Sequence, residues 1–361
     1  TGILFGIHPV HTEVVANGVG RATLYSFVFM MAAALLHVRA LRVRDKAGRN
    51  EASFPWQVWL GGTYCAYAVS LLFKESSVTL PGLLFLMEWW VLRRRSLREM
   101  LRPRRLLPYA AYSVPLVFYL SLRFAVVGTG TPSMPEMMRH LSSWERFLYA
   151  NETLVRYIGQ LVVPLFLQAD YTDYLNPPAP SPADPLVLGA FVLWGGLIWL
   201  AWRFRDRAGG AVPFGLAWFF LAILPMSNLL FPIGTLRADR LLYIPSLGMV
   251  LVLAVALTRL VSVRRELGWA AIVLVAGFYS VRTFVRNSDW YSQETLWRAM
   301  VKKAPGYPVA WRNLGDVYRD AGELAEAGQC YRRAFEIREG AGFSYPEAHV
   351  SYAMVQMLLG N

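Results

Sequence analysis

The sequence predicts an all-α protein: a polytopic membrane helical bundle over residues 1–285, then the start of an α-solenoid over 286–361. Three observations predict it. Apolar residues come in blocks of roughly 17 to 22, the length at which a helix crosses a bilayer. Charged residues make up 17% of the 361-residue chain, where a soluble domain carries about 25%. The last stretch loses these blocks and takes up large and small anchors at the spacing of a helical repeat. A hydrophobic content of 55% and a mean hydropathy of +0.35 agree.

In chain order, residues 1–18 read as the end of one element and a polar turn. Spans are expected near 19–38, 56–73, 78–92 and 106–127, then near 186–202, 211–231, 241–260 and 269–285. Basic loops at 39–49, 93–105, 203–210 and 259–266 belong in the cytoplasm by the positive-inside rule. All four fall on one side only if the helical stretch 144–167 lies in the interface without crossing. Glu145, Glu152, Arg156 and Gln160 recur there at helical spacing, and 168–185 is a loop rich in Pro, Asp and Tyr. The turn at His8, Lys74-Glu75, 128–185, 232–240 and everything after Arg286 then face the lumen or periplasm. Asn151-Glu152-Thr153 on that side matches the glycosylation acceptor triplet. Glu88 reads as structural, paired with an arginine of 93–95.

After Arg286, the residues Trp311, Leu314, Gly315, Tyr318, Ala327, Tyr331 and Ala334 fit the tetratricopeptide pattern W-x2-L-G-x2-Y with its later small and aromatic anchors. One full repeat is expected near 308–341. Trp297, Met300 and Pro305 suit the end of an earlier partial repeat, and 348–360 suits the start of a later one. Stable arrays need about three repeats. The chain starts at Thr1 and stops at Asn361 in mid-pattern, so both ends are expected to be truncated.

Several function classes drop out. The formal charge of +12 sits in short loops between spans, where it sets topology, so no nucleic-acid partner is expected. Cys65 and Cys330 give neither a disulfide framework nor a metal spacing. No Walker or dinucleotide fingerprint is present.

What remains is a set of polar residues gathered at the outer face: His8, His11, Glu13, Arg21, Lys74, Glu75, Arg123, Asp170, Asp173, Arg237, Asp239 and Arg240. Ionisable groups at membrane depth are expensive and are functional candidates by default. Arginine and lysine there suit a phosphate or pyrophosphate headgroup, and a carboxylate or histidine suits a general base. Each has a plainer reading. His8 and His11 could be turn caps, Lys74-Glu75 an interfacial ion pair, Arg237 to Arg240 a snorkelling girdle, and Asp170 and Asp173 a solvated turn. His8, His11 and Glu13 lack the HExxH spacing, so no metal ligands are assigned and a divalent metal is left open.

Five stretches carry a resemblance: HPVHTEVVANGVGR at 8–21, KESSVTLPGLLFLMEWW at 74–90, QADYTDY at 168–174, LPMSNLLFPIGTLRADRLLYIPSLG at 224–248, and the repeat itself. Together they resemble the transmembrane and tetratricopeptide repeat-containing O-mannosyltransferases and their bacterial relatives. The resemblance implies a GT-C type glycosyltransferase fold. It implies a dolichyl or polyprenyl phosphate sugar, typically mannose, as donor substrate, and a protein Ser or Thr hydroxyl as acceptor on the non-cytoplasmic side. His8, His11 and Glu13 match the family's outer turn, and Lys74, Glu75, Arg237, Asp239 and Arg240 match other outer loops. The family's key acidic residue would lie upstream of Thr1. Related sequences usually read GRAD where this chain has Gly20-Arg21-Ala22-Thr23, so a carboxylate is missing at Thr23.

The resemblance also implies an integral protein of the plasma (inner) membrane in a bacterium or of the endoplasmic reticulum in a eukaryote. The repeats would hold acceptor or partner protein on the periplasmic or lumenal side. Two other classes compete. A non-catalytic membrane scaffold would use the repeats alone. A lipid-linked glycan transporter would show paired repeat halves, and no such symmetry is visible.

Overall fold

Helices account for every regular element, and no strand occurs among the described residues. The structure, a computed structural model, describes residues 1–47, 55–92, 97–128, 141–171, 180–203, 210–230, 233, 235–340 and 345–359. The chain opens with two short helices, α1 (Gly2–Gly6) and α2 (Thr12–Ala16), joined through a 3-10 turn at Pro9–His11. A second 3-10 turn, Gly18–Gly20, leads into α3 (Arg21–Ala47). Next come α4 (Trp56–Phe73), a 3-10 turn at Glu75–Thr79, and α5 (Leu80–Leu86), which widens into a π-helix over Met87–Leu92. α6 (Leu97–Met100), α7 (Pro103–Ala110) and α8 (Ser113–Val127) follow.

The second half of the bundle holds α9 (Ser143–Val162), α10 (Pro185–Arg203), α11 (Ala211–Ile223), α12 (Tyr243–Val263) and α13 (Arg265–Asp289). α14 (Gln293–Lys303), α15 (Pro308–Asp320), α16 (Leu324–Gly340) and α17 (Pro346–Leu358) complete the chain. α13 runs unbroken through residue 285, the expected boundary, so the last apolar helix leads directly into the second region.

Among the described residues, five helical stretches are long and apolar enough to cross a membrane: Gly18–Asp45, Pro103–Val127, Pro185–Arg203, Asp239–Val263 and Arg265–Asp289. Their outward faces are apolar. Phe284 is 80% exposed, Val192 77% and Val126 76%. Water would penalise that much apolar surface, and bilayer hydrocarbon does not. Of the other three expected spans, α4 has the expected bounds, Trp56–Phe73, while α5 passes into a π-turn and α11 is only 13 residues long. The stretch expected as a helix over 144–167 is helical over Ser143–Val162, opened by a capping box between Ser142 and Glu145.

Among the described residues, two large cores and a smaller one between α1, α12 and α13 hold the bundle. One large core joins α3, α4 and α5 through Met30, Tyr67, Leu71, Leu80 and Leu83, with Trp218 and Ile244 reaching in. The other large core joins α9, α10 and α11 through Tyr157, Leu161, Leu197, Leu216 and Phe219. α11 and α12 pack backbone to backbone at Gly215 and Gly248. A Cβ on Gly215 would stand 2.6 Å from the Gly248 carbonyl oxygen, which explains why both positions lack side chains.

One expectation is corrected here. Asn151 is buried in α9: its side-chain nitrogen donates to the Phe147 carbonyl at 2.7 Å, and its oxygen accepts from Trp194 Nε1 at 2.8 Å. An acceptor asparagine must be exposed, so the triplet is a chance match. Glu88 lies near Arg105 (3.6 Å) and Arg44 (4.0 Å) and accepts from the Tyr109 hydroxyl at 2.8 Å. Residues 93–95, its expected partners, lie outside the described residues.

In the last region, α15 and α16 pack as a hairpin turned at Gly322, whose φ is +82°. Leu314, Ala327, Tyr331 and Ala334 are buried between them, and Trp311 and Tyr318 are half-buried. A Cβ on Gly315 would stand 2.7 Å from the Tyr331 ring. Arg298 Nε donates to the Tyr318 hydroxyl at 3.0 Å, and Arg332 donates to the Tyr352 hydroxyl at 2.8 Å, the same contact one repeat further on.

Candidate functional site at one end of the bundle

Polar turns that are far apart in sequence meet at one end of the bundle. The first is 8–20. His8 accepts from the Val10 amide at 3.3 Å through Nδ1, and its Nε2 bonds the Leu161 carbonyl at 3.0 Å. His11 Nε2 bonds the Ser246 hydroxyl at 2.8 Å. Both rings are buried, and burial pulls His8 down to about 4 and His11 well below the usual histidine range. They are neutral rings that tie this turn to α9 and α12. Their nitrogens are occupied by the fold.

The same turn delivers Glu13 into the interior, 1% exposed. Its carboxylate accepts from the Arg240 backbone amide at 2.9 Å and from Arg240 Nη1 at 2.7 Å. Burial raises the Glu13 carboxyl above its usual range, and Arg240 offsets part of that rise. Gly20 lets the turn close, because a Cβ there would strike the Val14 backbone.

The second turn carries Lys74. Hydroxyls of Ser26, Ser70 and Ser77 form a small buried cluster that pins the 75–79 turn between α3 and α4. Lys74 then reaches across to donate to the Thr23 hydroxyl at 2.6 Å. Burial lowers its ammonium below the usual lysine range, with neighbouring Glu75 countering. No Lys74–Glu75 ion pair occurs among the described residues, and Glu75 is exposed.

The third turn, 224–243, presents Arg237, Asp239 and Arg240. Asn228 adopts a positive φ of 58° and braces this loop. Its side chain accepts from the Ile233 amide at 3.0 Å and donates to the Thr235 carbonyl at 3.0 Å. The Ala238 amide donates to the Tyr157 hydroxyl at 3.1 Å. Asp239 is buried, accepts from the Tyr171 hydroxyl at 2.6 Å, and lies 3.7 Å from Arg286. Arg237 lies over the Tyr171 ring at 4.2 Å and makes no ion pair among the described residues.

Thr23, Lys74, Ser76, Met226, Arg240 and Ile244 line a small cleft whose free space of about 10 Å³ has room for roughly one water molecule. Its wall combines an ammonium, a guanidinium and two hydroxyls with an apolar side, and Glu13 lies behind Arg240. An ammonium beside a guanidinium suits an anion.

Not every candidate joins this group. Arg21 and Glu75 are exposed, and their side chains make no hydrogen bond or ion pair among the described residues. Arg123 stays on α8, bonded to the Tyr119 hydroxyl at 3.2 Å. Asp170 accepts from the Tyr307 hydroxyl at 2.8 Å, and Asp173 lies outside the described residues. No group of three His, Cys, Asp or Glu side chains that could hold a metal occurs among the described residues. Sequence reasoning passed over Tyr171, Tyr157 and Arg286. Aromatics in a membrane protein read as interfacial anchors, and a lone arginine ending a span reads as a boundary.

No family model matches the chain, and no solved structure matches it. Several curated proteins do. Protein O-mannosyl-transferase TMTC3 of Homo sapiens is 27% identical over an alignment of 395 residues, covering 99% of this chain and 42% of that protein. Protein O-mannosyl-transferase TMTC4 of Homo sapiens is 27% identical over 366 residues, covering 91% of this chain and 48% of that protein. Protein O-mannosyl-transferase TMTC2 of Mus musculus is 25% identical over 413 residues, covering 93% and 48%. The chain spans less than half the length of these relatives. Over nearly its whole length it is similar to the protein O-mannosyl-transferases that its five sequence stretches resemble.

Proposed function

We propose that this chain carries the donor-phosphate site of a glycosyltransferase. The enzyme moves a sugar, mannose by analogy with its relatives, from a polyprenyl or dolichyl phosphate to a Ser or Thr hydroxyl of a protein. The observation that carries the reading is the cleft in which Lys74, Thr23 and Arg240 stand together at one end of an apolar bundle. The positive-inside rule puts this end, and the helices after α13, on the lumenal or periplasmic side.

In this reading the reaction is an inverting displacement. A carboxylate takes the proton of the acceptor hydroxyl. The hydroxyl oxygen attacks the anomeric carbon. The bond from that carbon to the phosphate oxygen breaks, and the electron pair leaves with the lipid phosphate. Lys74 and Arg240 meet the charge that develops on the leaving phosphate. The carboxylates in the described site are committed elsewhere: Glu13 to Arg240, and Asp239 to Tyr171 and Arg286. In this reading neither of them is the base.

The test uses the full-length protein in nanodiscs with radiolabelled polyprenyl phosphate mannose and membrane extract as acceptor. Label should enter protein. Lys74→Met should raise the donor KM, because Lys74 binds the phosphate in both ground and transition states. A folded protein that transfers nothing from mannose, glucose or arabinose donors would overturn the reading in favour of a scaffold.

A further inference from the structure

One buried cation has no part in the cleft itself. Arg286 ends α13 and is only 2% exposed. Its guanidinium lies between two carboxylates: Nη1 donates to Asp289 at 3.0 Å, and Nη2 stands 3.7 Å from Asp239. Each neighbour continues outward. Asp239 holds the Tyr171 hydroxyl at 2.6 Å, and the Tyr171 ring carries Arg237. Asp289 receives Lys303 of α14 at 2.6 Å. Charges of alternating sign thus run from α14 to the loop that bears Arg237 and Arg240.

A second set of contacts runs beside the first. The segment 164–171 leads from α9 to Tyr171 and is fastened from the C-terminal side. Arg282 donates to the Leu165 carbonyl at 2.8 Å, and Tyr307 donates to Asp170 at 2.8 Å. The Ala169 amide meets the Met300 sulfur at 3.2 Å. α13, α14 and the start of α15 therefore hold Tyr171 from one side while Asp239 holds it from the other.

A buried charge is costly unless it is paired, and a purely structural strap could be apolar. What an ionic chain adds is direction. It fixes Asp239 to one carboxylate face and leaves the Tyr171 ring one orientation under Arg237. We propose that Arg286 is a positioning residue through which the helices after α13 set the placement of Arg240 at the phosphate cleft and of Arg237 on the same loop. A protein bound to those helices would then alter donor binding through Lys303 and Asp289. This inference rests on the reading of the cleft as a donor site, and its test separates the two.

The experiment uses the full-length protein in nanodiscs with two variants. Arg286→Lys keeps the buried charge but cannot span both carboxylates. Lys303→Met cuts the chain at its half-exposed end and leaves the Arg286–Asp239 contact in place. Hydrogen exchange of the backbone amides over 165–171 and 235–243 reads the link without any substrate. Both variants should speed exchange in these two segments while thermal stability stays close to the parent. Unchanged exchange in both segments overturns the proposal, whatever the enzyme does.

Kinetics give the second readout. Small displacements of groups that orient a substrate cost up to roughly 100-fold in rate. Lys303→Met should raise the donor KM about tenfold and leave the acceptor KM unchanged. Its effect should shrink when Arg237→Met is also present, because the two act through one contact. Additive effects would mean a generally weakened fold and would refute the link. If the parent transfers no sugar at all, the donor-site reading fails, and the exchange measurement still decides whether the chain of charges connects the two regions.

Discussion

The pair between Glu13 and Arg240 is the sharpest test of how this end of the bundle is held. Glu13 is 1% exposed and takes two charge-assisted hydrogen bonds from one residue, at 2.9 and 2.7 Å. Removing one partner of a buried pair costs about 3–5 kcal/mol, chiefly through the charge left behind. In Glu13→Ala the orphan is Arg240, whose side chain is 28% exposed, so part of its hydration survives. The expected loss is therefore near the lower end, about 3 kcal/mol. Arg240→Met leaves Glu13 instead, fully buried. Its already raised carboxyl would take up a proton before staying charged, which limits that loss as well.

The double variant Glu13→Ala/Arg240→Met carries neither charge. It should be less unstable than the sum of the single changes by about 2 kcal/mol or more. The assay is unfolding in mixed micelles titrated with a denaturing detergent and followed by tryptophan fluorescence. A double-mutant cycle additive within about 0.5 kcal/mol would show that the two groups do not support each other, and the account of this turn would be wrong.

Two further outcomes are expected. His8 falls from 6.5 to about 4 on folding, so its stabilising effect is complete above pH 6.5 and is lost as the pH drops toward 4. The loss is about 3 kcal/mol at most. His8→Gln should flatten that part of the stability–pH curve in thermal melts, with a remainder from His11, and an unchanged slope would remove His8 as its source. At the α11–α12 contact, Gly248→Ala would drive a Cβ toward the Gly215 carbonyl and the Phe219 amide, so a loss of about 1–3 kcal/mol is expected. Gly277→Ala on α13, with nothing near its Cβ, should be neutral or stabilising by up to about 1 kcal/mol; a detergent-unfolding midpoint compares the two.

Much of the architecture was legible because bilayer physics writes itself into local sequence. Blocks such as 186–202 and 269–285 could be read as helices without knowing their neighbours, since each span must satisfy its own backbone. The same locality set the limit. The expected span at 211–231 is a 13-residue helix followed by a braced loop, because Asn228 adopts a left-handed turn and bonds within its own loop. The expected acceptor triplet at Asn151 failed for a related reason. Three residues cannot report that Trp194, far along the chain, will cover them.

Sequence by itself determined that the chain is helical and membrane-embedded, and that polar turns punctuate it. Those properties depend on composition and on spacing within a single element. Tertiary structure alone decided which polar residues meet. His8 and His11 became neutral fastenings, Glu13 became the partner of a residue 227 positions away, and Lys74 reached Thr23 rather than Glu75. Arg286 turned from the end of a span into a buried bridge between two carboxylates. The physical reason is desolvation. A charge at membrane depth must find an opposite charge or a hydrogen bond, and only the packed bundle determines which ones lie within reach.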